Sequence, residues 1–190
     1  MMECKIMRKF IVVVLVLLPL TCFAGPRLRP SEWATPIINA HLRNFYQVDD
    51  QVYRSAQPDK NDIRDLRLFH IGEVLNLREF HSDDDNLPST DFRLYHVEMR
   101  TGQITEDEIV AALRVIKNRK GPMLIHCWHG SDRTGVTMAL YRIIFNGWSK
   151  QQALDEMING GYGYHAQVYP ELITLIENCD IDEIRRKLGE

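Results

Sequence analysis

LIHCWHGSDRTG, the sequence of residues 124–135, joins a short apolar run to a longer apolar segment. The run at 123–126 predicts a short buried strand, and the segment 136–148, which is apolar on nearly all sides, predicts a buried helix. A strand, a tight loop containing glycine and a helix N-terminus together form a cradle for an anion. Backbone N–H groups point inward there, and the helix dipole favours negative charge. The stretch therefore predicts an anion-binding loop at the end of a buried strand.

The rest of the chain alternates predicted strands with predicted helices. Further strands are predicted at 71–77 and 92–99 and in a hairpin at 44–54. Helices are predicted at 59–69, behind a capping box at Thr105 and Glu108, behind another at Ser149 and Gln152, from Pro170, and at 180–188. This order predicts an α/β fold with a central, mostly parallel sheet covered by helices, and it places the loop where such sheets bind ligands. The acidic run at 82–86 is expected to be a solvated loop, and GGYGY at 160–164 a flexible turn.

The first residues have the pattern of a secretory signal peptide. Basic residues at 5, 8 and 9 precede eleven apolar residues at 10–20, and a cleavage site is expected after Ala24. Eleven residues are too few to span a bilayer, although a signal anchor that stays attached is the alternative. We therefore predict a signal peptide at 1–24, an N-terminal extended segment at 25–44 and one folded domain at 45–190. The mature chain is expected in the periplasm or outside the cell, without stable membrane insertion.

Cleavage changes the charge and the cysteine content of the chain. The segment 1–24 carries a net charge of +2, so its removal from a chain of −3 leaves −5. A mildly acidic domain without a basic stripe argues against nucleic acid as the main partner. The mature chain keeps Cys127 and Cys179, which either form a disulfide in an oxidising compartment or remain separate, with Cys179 as a core thiol beside the last helix.

The residue types in the loop suit phosphoryl transfer to sulfur. Cys127 lies where N–H groups and a helix N-terminus converge beside Arg133, and both features favour the thiolate. The planar guanidinium of Arg133 can bind two phosphoryl oxygens at once. Thr134 offers a hydroxyl that can donate to the sulfur when it leaves. The other predicted phosphate-binding residues are Trp128, His129, Gly130 and Ser131.

No metal or other cofactor is predicted at this loop. His126, Cys127 and His129 have residue types that bind metals, but the glycine and the buried flanking elements explain their spacing, and the charge of Arg133 would repel a cation.

The pattern Cys-x-x-Gly-x-x-Arg-Thr-Gly after an apolar strand resembles the signature loop of cysteine-based protein tyrosine and dual-specificity phosphatases. YRSAQP at 53–58, LNLR at 75–78 and the segments 141–142 and 147–148 extend the resemblance to the small secreted bacterial members. It implies a phosphatase domain of that fold at 45–190, with Cys127 as the nucleophile that forms a phosphocysteine and Arg133 as the phosphate-binding residue.

One expected feature of that family is missing. The family usually places an aspartate, the general acid, just before the helix that precedes the signature strand, where this chain has RTGQ at 100–103. The order Cys-x4-Asp-Arg resembles the loops of myotubularin and Sac phosphoinositide phosphatases, which implies that Asp132 donates the proton. The alternatives are that Asp132 only orients the loop, or that Asp107 or Glu106 is the acid rather than a favourable charge at a helix start.

The leading prediction is a secreted phosphatase for phosphotyrosine and possible further phosphoesters, including phosphoserine and phosphothreonine, on a protein or a small molecule. A phosphatase for inositol phosphates or phosphoinositides ranks second, because the loop has no lysine. A phosphate-binding pseudophosphatase is the third, motivated by the missing aspartate. Arg54 and Arg78 either face the site or are solvated, and Trp128 with the tyrosines of the 160–164 turn either forms a lip for an aromatic phosphate or packs in the core.

Overall fold

The computed structural model describes residues 28–190, and the predicted signal peptide lies outside the described residues. The strands are β1 (Thr35–Pro36), β2 (Tyr46–Gln47), β3 (Val52–Ser55), β4 (Glu73–Asn76), β5 (Arg93–His96) and β6 (Met123–His126). The helices are α1 (Ile63–Leu68), α2 (Glu106–Lys117), α3 (Asp132–Phe145), α4 (Lys150–Asn159), α5 (Glu171–Asn178) and α6 (Ile181–Leu188), with 3-10 turns at Lys60–Asp62 and Thr101–Gln103.

The strands form one sheet in the order β1-β2-β3-β6-β4-β5. The strands β3, β6, β4 and β5 run parallel, whereas β1 and β2 add an antiparallel edge. This arrangement confirms the predicted mostly parallel sheet. The register places Ser55, Asn76 and His126 side by side at the carboxyl ends of three parallel strands, directly before the signature loop.

Side chains alternate across the sheet because successive residues of a strand point to opposite faces. Leu124 packs with Val74 and Tyr53 on one face, in a cluster that includes Leu66 of α1. Met123 and Ile125 pack on the other face, where α2 to α6 cover the sheet. The sheet is thus buried on both sides, as its apolar central strands require.

The predicted helix starts are present in the structure. Capping boxes lie at Asp59 with Asp62, Thr105 with Glu108, and Ser149 with Gln152, so two orphan donors are satisfied at each start. Helix α3 is buried at every residue from 134 to 144, which agrees with its apolar sequence. A helix enclosed in this way holds the loop before it in a fixed position.

The segment before residue 45 packs against the rest of the domain. Strand β1 extends the sheet, Trp33 and Ala34 are buried, and Arg29 donates to the carbonyl of Gly160 at 2.6 Å and to the hydroxyl of Tyr162 at 2.9 Å. Within residues 28–190, the structure contains no helix with the length and apolar content needed to cross a bilayer.

The turn at 160–164, which was expected to be flexible, is anchored by its central tyrosine, while Gly161 and Gly163 are exposed. The side chain of Tyr162 is almost fully buried, and its hydroxyl donates to Glu156 at 2.9 Å. A Cβ at Gly160 would lie 2.4 Å from both the Glu156 carbonyl oxygen and the Tyr162 ring. The glycine is therefore required by the close approach of the tyrosine ring.

Candidate active site

The signature loop forms a bowl whose carbonyl groups face outward. The carbonyl oxygen of Trp128 accepts from Gln57 N at 3.0 Å, that of His129 from Asn44 Nδ2 at 2.8 Å, and that of Gly130 from Arg54 Nη2 at 2.7 Å. In a trans peptide the N–H points opposite to the carbonyl. The N–H groups of residues 129–131 therefore face the inside of the loop, where an anion would accept from them.

Glycine is needed at position 130 for two reasons. Its φ angle is +73°, which L side chains rarely adopt, and an added Cβ would lie 2.3 Å from the carbonyl oxygen of Ser55. The loop thus passes directly against the end of β3. This close approach orients its amides.

Cys127 lies at the start of the loop, and Arg133 and Thr134 lie at its end, in the first turn of α3. The Cys127 side chain is 2% exposed, directly after β6. Arg133 Nη1 donates to the Met99 carbonyl at 3.4 Å, while its Nε and the Thr134 hydroxyl are buried without a partner in the described residues. Buried donors without partners carry an energetic cost that a bound anion would relieve.

Two further arginines lie at the site, which decides the question left open for Arg54 and Arg78. Arg54 is buried and stacks on the Tyr162 ring at 3.6 Å. Burial lowers its pKa, while the nearby Tyr162, Glu156 and Cys127 side chains oppose that shift. Burial and repulsion from Arg133 lower the pKa of Arg78. The guanidinium groups of Arg54 and Arg78 therefore both interact electrostatically with the Cys127 sulfur, and that of Arg78 also with Arg133.

Asp83 links three strand ends beneath the loop. Its carboxylate accepts from Gln57 Nε2 at 2.7 Å, from Asn76 Nδ2 at 3.3 Å and from His126 Nε2 at 2.8 Å. The expectation of a solvated loop at 82–86 is therefore wrong for Asp83, which is 3% exposed. Burial alone would raise the pKa of Asp83, but hydrogen bonds from His126 and Gln57 together with the charge of His126 lower it.

A cavity of about 530 Å³ opens above the loop. Its lining comprises Arg78, Glu79, Phe80, His81, Thr101, Trp128, His129, Asp132, Arg133, His165, Val168 and Tyr169. Trp128 is half-exposed at this cavity and stacks under the Arg78 guanidinium at 4.1 Å, as a lip residue would. The side chain of Ser131 faces elsewhere, because its hydroxyl donates to the Tyr162 carbonyl at 2.7 Å.

The candidate acids occupy different environments. Asp132 lines the cavity and is paired with His165, whose N and Nδ1 approach its Oδ1 and Oδ2 at 3.0 and 2.9 Å. Glu106 and Asp107 do not line this cavity and both pair with Lys187, at 2.8 and 3.3 Å. Their position fits stabilisation of the α2 start. The sequence did not indicate His165 or Glu79 as residues of the site. Its only signals are that His165 follows a glycine-rich turn and that Glu79 is a charged residue shortly after a strand.

The two cysteines of the described region are both free. Cys179 is half-buried at the end of α5, its thiol donates to the Ile176 carbonyl at 3.1 Å, and burial raises its pKa. This is the core thiol that the sequence predicted. Cys127 therefore remains available as a nucleophile.

A model of the tyrosine phosphatase family matches residues 40–187 of the chain. The chain belongs to the tyrosine phosphatase family. Dual specificity protein phosphatase TpbA of Pseudomonas aeruginosa is 32% identical over 171 residues, which cover 85% of this chain and 77% of TpbA. Inositol diphosphatase DSP5 of Arabidopsis thaliana is 31% identical over 122 residues, which cover 60% of this chain and 59% of DSP5.

Solved phosphatase structures share the fold. A cysteine-to-serine variant of P. aeruginosa TpbA in complex with pTyr superposes with a TM-score of 0.76 at 28% identity, covering 85% of this chain and 99% of that one. The catalytic core of Siw14 superposes with a TM-score of 0.66 at 25% identity, covering 78% and 91%. These likenesses confirm the predicted family and α/β fold, and the chain is an enzyme of the tyrosine and dual-specificity phosphatase class.

Proposed function

We propose that this phosphatase hydrolyses phosphotyrosine through a phosphocysteine intermediate. The Cys127 thiolate attacks phosphorus, the inward N–H groups and Arg133 bind the phosphoryl oxygens, and the phenol leaves with a proton. Water then attacks phosphorus and the thiolate is released, with Thr134 donating a hydrogen bond to the departing sulfur. Asp132 belongs to the proton-transfer apparatus.

The observation that carries this proposal is the combination of a buried sulfur with unsatisfied donors. Cys127 is 2% exposed at the start of the loop, and at its other end the Arg133 Nε and the Thr134 hydroxyl are buried without a partner in residues 28–190. A pre-built arrangement of donors around a nucleophile favours charge that develops in the transition state. A pure phosphate-binding protein would not need the sulfur.

The cavity favours an aryl phosphate over a highly charged one. Its lining has two arginines, Arg78 and Arg133, and two carboxylates, Glu79 and Asp132, so the carboxylates balance the charge of the arginines. A phosphotyrosine dianion finds its partners at the loop, and its ring can contact Trp128. An inositol polyphosphate or pyrophosphate carries many more negative charges, which would meet the two carboxylates.

The burial of Cys127 supports the same choice. The residue is 2% exposed, so its sulfur is accessible only to a narrow group. The phosphotyrosine side chain meets that requirement better than phosphoserine or phosphothreonine. We therefore propose phosphotyrosine as the preferred substrate and phosphoserine or phosphothreonine as slower ones.

Inositol diphosphates are the second candidate substrates, because the relatives DSP5 and Siw14 are named inositol diphosphatases. A substrate panel separates the two: a phosphotyrosyl peptide, its phosphoseryl counterpart, an inositol pyrophosphate and a nucleotide. We expect kcat/KM to be highest for the phosphotyrosyl peptide, by about tenfold or more. A higher value for the inositol pyrophosphate would contradict the substrate proposal, and no turnover of any phosphoester would contradict the enzymatic one.

The two free cysteines supply a matched pair of variants. Cys127→Ser is expected to lower turnover by at least about 10³-fold while phosphate binding is retained. Cys179→Ser should leave turnover unchanged, because Cys179 lies at the end of α5, outside the signature loop. Trapping of labelled phosphate on the wild type but not on Cys127→Ser would identify the phosphocysteine.

We also propose that the mature enzyme acts in the periplasm or outside the cell, on the basis of the signal peptide pattern at 1–24. The mass of the protein recovered from the periplasmic fraction tests this. The expected chain begins at Gly25, and a full-length chain retained in the cytoplasm would contradict the proposal.

A further inference from the structure

We propose that His165 is the acid and base of the reaction and that Asp132 is its positioning residue. The inference rests on the proposed phosphocysteine chemistry. His165 lies in the segment between α4 and α5, and its ring lines the cavity above the signature loop together with Arg133. Its side chain is 45% exposed, so solvent and substrate can both reach the ring.

The two ring nitrogens of His165 differ in their hydrogen bonds: Nδ1 contacts Asp132, whereas Nε2 has no partner in the described part of the chain. His165 Nδ1 pairs with Asp132 Oδ2 at 2.9 Å and approaches Oδ1 at 3.2 Å, and the His165 backbone N donates to Oδ1 at 3.0 Å. Nε2 makes no hydrogen bond within residues 28–190. A carboxylate at Nδ1 fixes the tautomer and orientation of an imidazole, which leaves Nε2 to exchange protons with substrate.

The same contacts make Asp132 a poor direct donor. Both of its oxygens are engaged by His165, and the side chain is only 10% exposed. A carboxylate held in this way on an imidazole is better placed to orient the ring than to give up a proton itself. The pair thus assigns the two residues different tasks, with Asp132 as the orienting group and His165 as the more exposed one.

The proposed steps balance in protons and electrons. The Cys127 thiolate forms the S–P bond as the bond between phosphorus and the phenolic oxygen breaks, and that oxygen takes the proton from His165 Nε2. Neutral Nε2 then takes a proton from water as the water oxygen forms its bond to phosphorus. The S–P bond breaks, the electron pair returns to the Cys127 sulfur, and the imidazolium is restored as phosphate leaves.

Several charged or titratable groups share this cavity with the His165 ring. They come from α3, from the signature loop, from the segment after β4 and from the segment before α5: Asp132, Arg133, His129, Arg78, Glu79, His81 and Tyr169. The His129 ring lies 5.8 Å from that of His165. Glu79 is the other carboxylate of the lining and is the competing candidate acid.

The test compares a poor leaving group with a good one. His165→Asn keeps an amide donor near the Nδ1 position and removes the titrating nitrogen, so we expect a loss of about 10² to 10³-fold in kcat/KM for phosphotyrosine. Formation of the phosphocysteine from dinitrophenyl phosphate, measured as a burst of dinitrophenol, should fall by less than about tenfold. The alkaline limb of the wild-type kcat/KM profile for phosphotyrosine should disappear in this variant. Gln167→Ala, an exposed change in the same segment, serves as the control with unchanged rates.

Asp132→Asn should show the same leaving-group selectivity with a smaller loss, and Glu79→Gln should show none. The inference is overturned if His165→Asn loses rate equally on both substrates, or if Asp132→Asn or Glu79→Gln shows the selective loss and His165→Asn does not. Failure of the proposed function is a different result, in which the wild type releases no phosphate from either aryl ester or does so without Cys127.

Discussion

Removing the Asp83 carboxylate should destabilise the whole site, because this one side chain joins the ends of three parallel strands. Asp83→Ala leaves His126 Nε2 without its acceptor in a buried region. The amides of Gln57 and Asn76 also lose their bonds to Asp83 but keep the carbonyl oxygens of Pro58 and His81 as acceptors. Breaking a buried pair by deleting one partner costs about 3–5 kcal/mol. For a chain of this size, that corresponds to a fall in Tm of roughly 6–20 °C.

The dependence on pH provides a second readout. The folded pKa of Asp83 is lowered, so its contribution to stability is fully present above the unfolded value of about 3.9 and is lost as pH falls through the folded value. Urea unfolding of wild type and Asp83→Ala at pH 7 and at decreasing pH below about 4 should therefore show a free-energy difference that shrinks on acidification.

Asp84→Ala is the control, because Asp84 is an exposed neighbour in the same loop and should change stability by no more than about 0.5 kcal/mol. If Asp83→Ala unfolds with the same free energy as Asp84→Ala, or if their difference stays constant through the acid range, then the carboxylate does not hold the strand ends as described.

Three further predictions concern the loop and its support. Gly130→Ala should lower both stability and turnover sharply, since its Cβ would overlap the end of β3. Gly121→Ala is the control, because an added Cβ there meets open space and the variant should fold normally. Equal thermal unfolding of the two variants would contradict this prediction. Thr134→Val should leave stability within about 1 kcal/mol, because the buried hydroxyl has no partner, yet slow the hydrolysis of the phosphocysteine so that a product burst precedes a slower steady state. Burial, together with the charge of Glu156, raises the pKa of Tyr162 in the folded protein. Because the unfolded chain loses this proton first, wild-type stability should fall as pH rises above about 10. Tyr162→Phe should weaken that fall in unfolding experiments between pH 9 and 11.

The main elements were predictable because their signals are local. Capping boxes at Thr105 and Ser149 mark helix starts by side chains that reach only three residues along the chain. The apolar runs at 123–126 and 136–148 indicate burial by composition alone. The alternation of these elements was sufficient to predict a mostly parallel sheet.

Residues whose role depends on distant partners were not predictable in the same way. Asp83 belongs to an acidic run that is otherwise exposed, and only its approach to His126, 43 residues away, buries it. Tyr162 lies among glycines that suggest mobility, but Arg54 and Glu156 enclose its ring and hydroxyl. His165 has no local pattern, and its pairing with Asp132 is visible only in the structure.

The sequence by itself determined the signature loop, its nucleophile candidate Cys127 and its anion-binding chemistry. Residue order along a strand, a tight turn and a helix start constrains those atoms within a few bonds of one another. The tertiary structure alone decided which charges surround that sulfur. Arg54, Arg78, Asp83 and His165 come from separate segments, and only the packing of the sheet against its helices overcomes the entropy of bringing them together.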